Sequence, residues 1–116
     1  MIKGIHHIGV SVPNLDDVIV FYQSAVELPQ VGPFETAFRN ATAHLMGLPD
    51  VRCRTAYLSG TTTYLELTEF ESPKPPPQQI MPVFGPGITH VCFQSPEEDS
   101  AFRRFTQQRG TQVVSR

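Results

Sequence analysis

Two histidines and one glutamate, His7, Glu66 and His90, are the residues of this chain whose types and setting best support chemistry. Neutral imidazoles and a carboxylate are ligands for Zn, Ni, Fe, Co or Mn, and the set does not choose among these metals. Two His and one carboxylate also leave coordination positions open for water or substrate oxygens. Taken singly, a strand histidine is usually hydrogen-bonded or exposed, and a lone strand glutamate usually faces solvent. What joins the three is an internal repeat.

Residues 4–16 moved forward by 83 positions fall on residues 87–99. Gly4-Ile5-His6-His7-Ile8 then faces Gly87-Ile88-Thr89-His90-Val91, and five of the thirteen positions are identical. The identities are Gly4/Gly87, Ile5/Ile88, His7/His90, Pro13/Pro96 and Asp16/Asp99. The apolar pattern continues, with Val18, Ile19 and Tyr22 facing Ala101, Phe102 and Phe105. Repeats of this kind mark a duplicated structural unit.

Each copy predicts a strand followed by an amphipathic helix. In the first, Ile8, Val10 and Val12 alternate with His7, Gly9 and Ser11, so His7 faces away from the core. Asn14 is the expected N-cap, and Val18, Tyr22 and Ala25 share one helical face. In the second, Ser95 is the expected cap, Pro96 the first helical residue and Glu98 the capping-box partner; Gly110 ends the helix. Thr111-Gln112-Val113-Val114 starts another strand. Between the copies, Val51–Leu58 and Thr62–Phe70 are β-rich runs joined by a hairpin at Ser59-Gly60. A short helix is expected within residues 34–46 and an extra strand near Phe34–Phe38. The fold class is α+β, built of paired βαβββ modules. The first module spans 1–70, a Pro-rich linker 71–86, and the start of the second 87–116.

Face assignments follow from strand alternation. Glu66 lies between Leu65 and Leu67, which want the core, and His90 sits beside Val91 and Phe93, which also face inward. All three candidates therefore occupy the non-core faces of separate strands. His6, adjacent to His7 but pointing the other way, reads as structural, and His44 reads as exposed. Cys92 shares the His90 face and reads as a small packed thiol. Tyr64 and Phe70 share the Glu66 face and would wall a pocket there or pack into the core.

The composition narrows the partners. Nine basic and eleven acidic residues give a net charge of −2 with no basic run, which disfavours nucleic acid and anionic membrane. No signal-like or membrane-spanning apolar segment is present. Cys53 and Cys92 have neither CxxC spacing nor the density of a disulfide scaffold, which points to the cytoplasm. No phosphate loop, nucleophile triad or nucleotide fingerprint occurs.

The chain resembles the vicinal oxygen chelate superfamily of glyoxalases, bleomycin-resistance proteins and extradiol dioxygenases. His7-Ile8-Gly9-Val10 through Phe21-Tyr22 is similar to that family's first strand and helix. Leu65-Glu66-Leu67 resembles the ligand strand closing the first module, and Gly87–Val91 the strand opening the second. The resemblance implies a cavity around one divalent metal ion held by His7, Glu66 and His90. It further implies a lyase or isomerase acting on a small substrate with vicinal oxygens through a metal-stabilised enediolate or enolate, with Glu66 as the base. A carboxylate at position 66 favours this over extradiol dioxygenase chemistry. Ser11 and Phe70 stand where glyoxalase I tends to carry Arg and Asn, which disfavours a glutathione substrate. The alternative is a metal-free drug-binding protein of the same fold. The repeat places the counterpart of Glu66, an expected fourth ligand, beyond Arg116. The second module is therefore expected to be incomplete, either because the chain is a piece of a longer protein or because another chain completes it. A homodimer is the expected assembly.

Overall fold

The computed structural model describes residues 1–77 and 79–114. Its order is β1 (His7–Ser11), α1 (Leu15–Val26), β2 (Gln30–Ala37), α2 (Ala41–Leu45), β3 (Arg52–Ser59), β4 (Tyr64–Ser72) and α3 (Glu98–Thr106). The four strands form one sheet in the order β1-β4-β3-β2. β1 runs parallel to β4, while β3 is antiparallel to both β4 and β2. The first and last strands of the unit are thus neighbours. This is the mixed α+β fold expected.

Local chemistry explains each element. The Asn14 side chain accepts the Asp17 N–H at 3.0 Å, starting α1 where its cap was expected. The turn between β3 and β4 closes through the Gly60 N–H to the Thr63 carbonyl at 3.1 Å. A Cβ at Gly60 would lie 2.7 Å from that carbonyl oxygen, so the close approach requires glycine. β2 is irregular between Val31 and Glu35, where Gly32 takes a φ of 70° and Pro33 has no N–H to donate.

One face of the sheet packs on α1. Leu15 and Ile19 meet Ala56, Leu58, Leu65 and Leu67, with Val12 beside them and Val18 and Tyr22 partly buried around the rim. Each such leucine contributes roughly 2 kcal/mol by leaving water. A second, smaller core joins Ala43 of α2 to Ala37, Val51 and Cys53, with Met46 and Phe70 against it. Register puts Cys53 opposite Phe70 and Ala37 opposite Cys53, so α2 covers one end of the other face. Both the extra strand and the short helix expected in the middle segment are present.

The second copy of the repeat departs from expectation. Among the described residues, 87–93 and 111–114 form no strand. A strand persists through its ladder of backbone hydrogen bonds, and no described strand pairs with these segments. The second helix does form, but starts at Glu98 behind Glu97, with no side-chain cap. Ser95 accepts the Glu97 N–H at 3.1 Å, two residues too early to cap. α3 lies along α1, where Phe21 and Phe105 meet edge to face at 5.5 Å and Arg104 pairs with Glu27 at 2.8 Å. Cys92 is exposed rather than packed, because the segment carrying it has no sheet to join.

Candidate metal centre

The site is built on the sheet face opposite α1. Strand alternation turns Leu65 and Leu67 into the core and leaves Glu66 on the other side. The β1–β4 register pairs His7 with Tyr64 and Gly9 with Glu66. Across this parallel step the His7 Nε2 lies 3.2 Å from the Glu66 Oε2. The imidazole is 45% exposed and the carboxylate 18%, so the pair is reachable from solvent while the acid is largely sheltered.

Two flanking residues shape the carboxylate's surroundings. On one side Gly9 places no side chain, and a Cβ built there would meet nothing within 4 Å. On the other side Tyr57 stands directly opposite Glu66 on β3. Burial, the negative charge of Glu66 and a hydrogen bond to it push the Tyr57 hydroxyl up to about 12, with Glu35 adding a smaller effect. The phenol therefore keeps its proton and remains a donor. Its ring also meets that of His7 edge-on, with centroids 6.4 Å apart. Tyr57 was not singled out from sequence. The signal that identifies it is its place in the β3 alternation, where Thr55 and Tyr57 share the face of Glu66.

The structure thus brings together two of the three residues named from sequence. His90 is exposed, lies outside any strand, and has its Nδ1 3.1 Å from the Thr89 hydroxyl. No cluster of three or more His, Cys, Asp or Glu side chains able to hold a metal ion occurs among the described residues, so His90 does not join the pair. His44 is exposed on α2. His6 corrects its structural reading: it precedes β1, so alternation does not bind it, and its Nδ1 lies 2.9 Å from the His7 Nδ1. Tyr64 and Phe70 line the Glu66 face as expected, both half-buried.

The donor chemistry fits a divalent ion. Two N/O donors about 2.1 Å from a shared ion, at tetrahedral to octahedral angles, lie roughly 3.0–3.4 Å apart, which brackets the His7–Glu66 separation. An open side at Gly9 leaves room for further oxygen ligands. The cavities elsewhere differ in character: a groove of about 880 Å³ between α1, α3 and residues 91–96 is lined mainly by apolar groups such as Val91, Phe93 and Phe105, and contains neither member of the pair.

A duplicated sequence pattern, a sheet with its first and fourth strands in parallel contact, and an acid–imidazole pair on the open face accord with a glyoxalase-like unit. Residues 4–115 match the Glyoxalase/Bleomycin resistance protein/Dioxygenase superfamily, and the chain belongs to that family. A glyoxalase family protein from Bacillus cereus superposes with a TM-score of 0.87 at 20% identity, covering 100% of this chain and 78% of that one. The fosfomycin resistance protein FosX from Listeria monocytogenes, in complex with Mn(II) and 1S,2S-dihydroxypropylphosphonic acid, superposes with a TM-score of 0.54 at 18% identity. That match covers 91% of this chain and 69% of FosX. No curated protein matches the sequence. No helix among the described residues is long and apolar enough to cross a membrane.

Proposed function

We propose that this chain is a divalent-metal-dependent lyase or isomerase for a small substrate bearing adjacent oxygens. The observation that carries the reading is the 3.2 Å contact between His7 Nε2 and Glu66 Oε2 on the open sheet face. These two residues would hold the ion. His90, the counterpart of His7 in the repeat, would supply a third donor once residues 87–93 take up a strand. When bound, the ion supplies Lewis acidity to the substrate's oxygens. Glu66 would accept a proton from carbon beside a carbonyl. Tyr57, still protonated at neutral pH, can donate a hydrogen bond to an oxygen that gains negative charge. The substrate class is supported by FosX, whose structure holds Mn(II) and a vicinal diol. The reading includes a homodimer and a cytoplasmic setting; two free cysteines accord with the latter.

Metal analysis after incubation with Mn(II) or Zn(II) and dialysis tests this directly. About one ion per chain is expected, lost in His7→Ala and Glu66→Ala while circular dichroism stays native. Wild-type protein with no stoichiometric metal defeats the enzyme reading. It would favour the second one, a metal-free small-molecule binder, for which the lack of a three-ligand cluster among the described residues speaks.

A further inference from the structure

His7 is engaged at both ring nitrogens. Its Nε2 faces Glu66 at 3.2 Å, and its Nδ1 faces the Nδ1 of His6 at 2.9 Å. His6 is itself well fixed. Its carbonyl accepts the Tyr64 N–H at 2.9 Å, Thr63 Oγ1 donates to the preceding carbonyl of Ile5 at 3.2 Å, and its ring lies tilted against that of Tyr64 at 5.3 Å.

The two contacts of His7 are coupled through a single proton. An uncharged imidazole carries one N–H and one lone pair. While the pair is empty, the hydrogen belongs on Nε2, where it meets the Glu66 carboxylate. Nδ1 must then accept, and His6 must donate from its own Nδ1. To ligate a cation beside Glu66, His7 must instead present the Nε2 lone pair. Its hydrogen then belongs on Nδ1, and His6 must accept. Lysine or arginine at position 6 could only donate, and a carboxylate could only accept. A second imidazole serves both states, because it shifts its own proton between nitrogens in step.

We infer that His6 is a positioning residue for His7, its Nδ1–Nδ1 contact holding Nε2 toward Glu66 and helping to set which His7 nitrogen carries the hydrogen. This rests on the metal reading of the His7–Glu66 pair for its functional consequence, although the contact operates in the metal-free protein as well.

The experiment combines Zn(II) titration calorimetry with 15N NMR of the histidine rings in wild type, His6→Ala and His6→Asn. The asparagine amide can rotate to offer either a donor or an acceptor near the original Nδ1. Wild-type His7 should be a single Nε2–H tautomer without zinc and a single Nδ1–H tautomer with it. His6→Ala should weaken zinc binding roughly 10–100-fold, the usual scale for partners of metal ligands, and leave metal-free His7 with a detectable Nδ1–H fraction, because Glu66 alone then favours Nε2–H. His6→Asn should restore both properties. Native circular dichroism separates these effects from misfolding. A His6→Ala protein with wild-type zinc affinity and an unchanged His7 tautomer overturns the inference. If wild type binds no zinc, the metal reading fails by itself, and the metal-free tautomer comparison still decides the role of His6.

Discussion

Tyr57 and Glu66 stand directly opposite one another on neighbouring antiparallel strands, and burial together with the carboxylate's negative charge holds the phenol's proton in place. Glu66 therefore has a protonated phenol on one flank and, at Gly9, open space on the other. Its Oε2 lies 3.2 Å from the His7 Nε2 on the β1 side.

The Tyr57 contact should be visible at alkaline pH. Its hydroxyl ionises at about 12 in the folded protein, against an ordinary value near 10. Between those values the unfolded chain has lost the proton and the folded chain has kept it, so stability must fall as pH rises from about 10 to 12. Denaturant midpoints of wild type should decline more steeply across that window than those of Tyr57→Phe. Parallel curves would show that neither burial nor Glu66 holds the hydroxyl's proton.

Gly9→Val should fold normally, because a Cβ there meets open space and valine suits a strand. It should nevertheless narrow the approach to Glu66. Zn(II) or Mn(II) binding is expected to weaken by about tenfold or more, roughly 1.4 kcal/mol, with an unchanged melting curve. Undiminished metal binding would place the ligand's access elsewhere.

Thr55 and Thr68 form a buried hydroxyl pair at 2.9 Å between β3 and β4. Thr68→Val strands the Thr55 hydroxyl without its partner and should cost about 1–3 kcal/mol. The double change to valine removes both polar groups and should cost less than the sum of the single changes. Urea melts of the three variants measure this coupling.

Glu69 secures the start of α1. Its Oε2 accepts the Leu15 N–H at 2.9 Å and also meets Arg54 at 3.2 Å. Glu69→Ala should destabilise by about 1–2 kcal/mol, the range for losing a helix-start acceptor. Arg54 keeps Asp16 at 3.0 Å, an exposed contact worth little. Arg54→Ala should accordingly cost less than Glu69→Ala in the same melt.

The first copy of the repeat was legible because its strands and helix bury one face each. Ile8 and Val10 alternating with His7 and Gly9, and the cap at Asn14, encode their own environment locally. The facing of Glu66 followed from Leu65 and Leu67 alone. His90 was harder, since alternation says which way a strand residue points but not whether the strand has anything to pair with. His6 failed for a related reason: it sits one residue before β1, where the period of two does not apply. Tyr57 escaped notice because its role depends on cross-strand register, which no single segment reveals.

The parallel pairing of β1 with β4 has a consequence for how the protein comes into being. His7 and Glu66 belong to the opening and closing strands of the unit, and they become neighbours only when everything between them has been threaded into place. Such long-range parallel contacts are slow to form. A ligand that bridges the two therefore recognises nothing in the nascent or unravelled chain. It acts as a rivet driven at the end of assembly, raising the melting temperature with its own concentration, and its capture marks the moment at which the unit is finished.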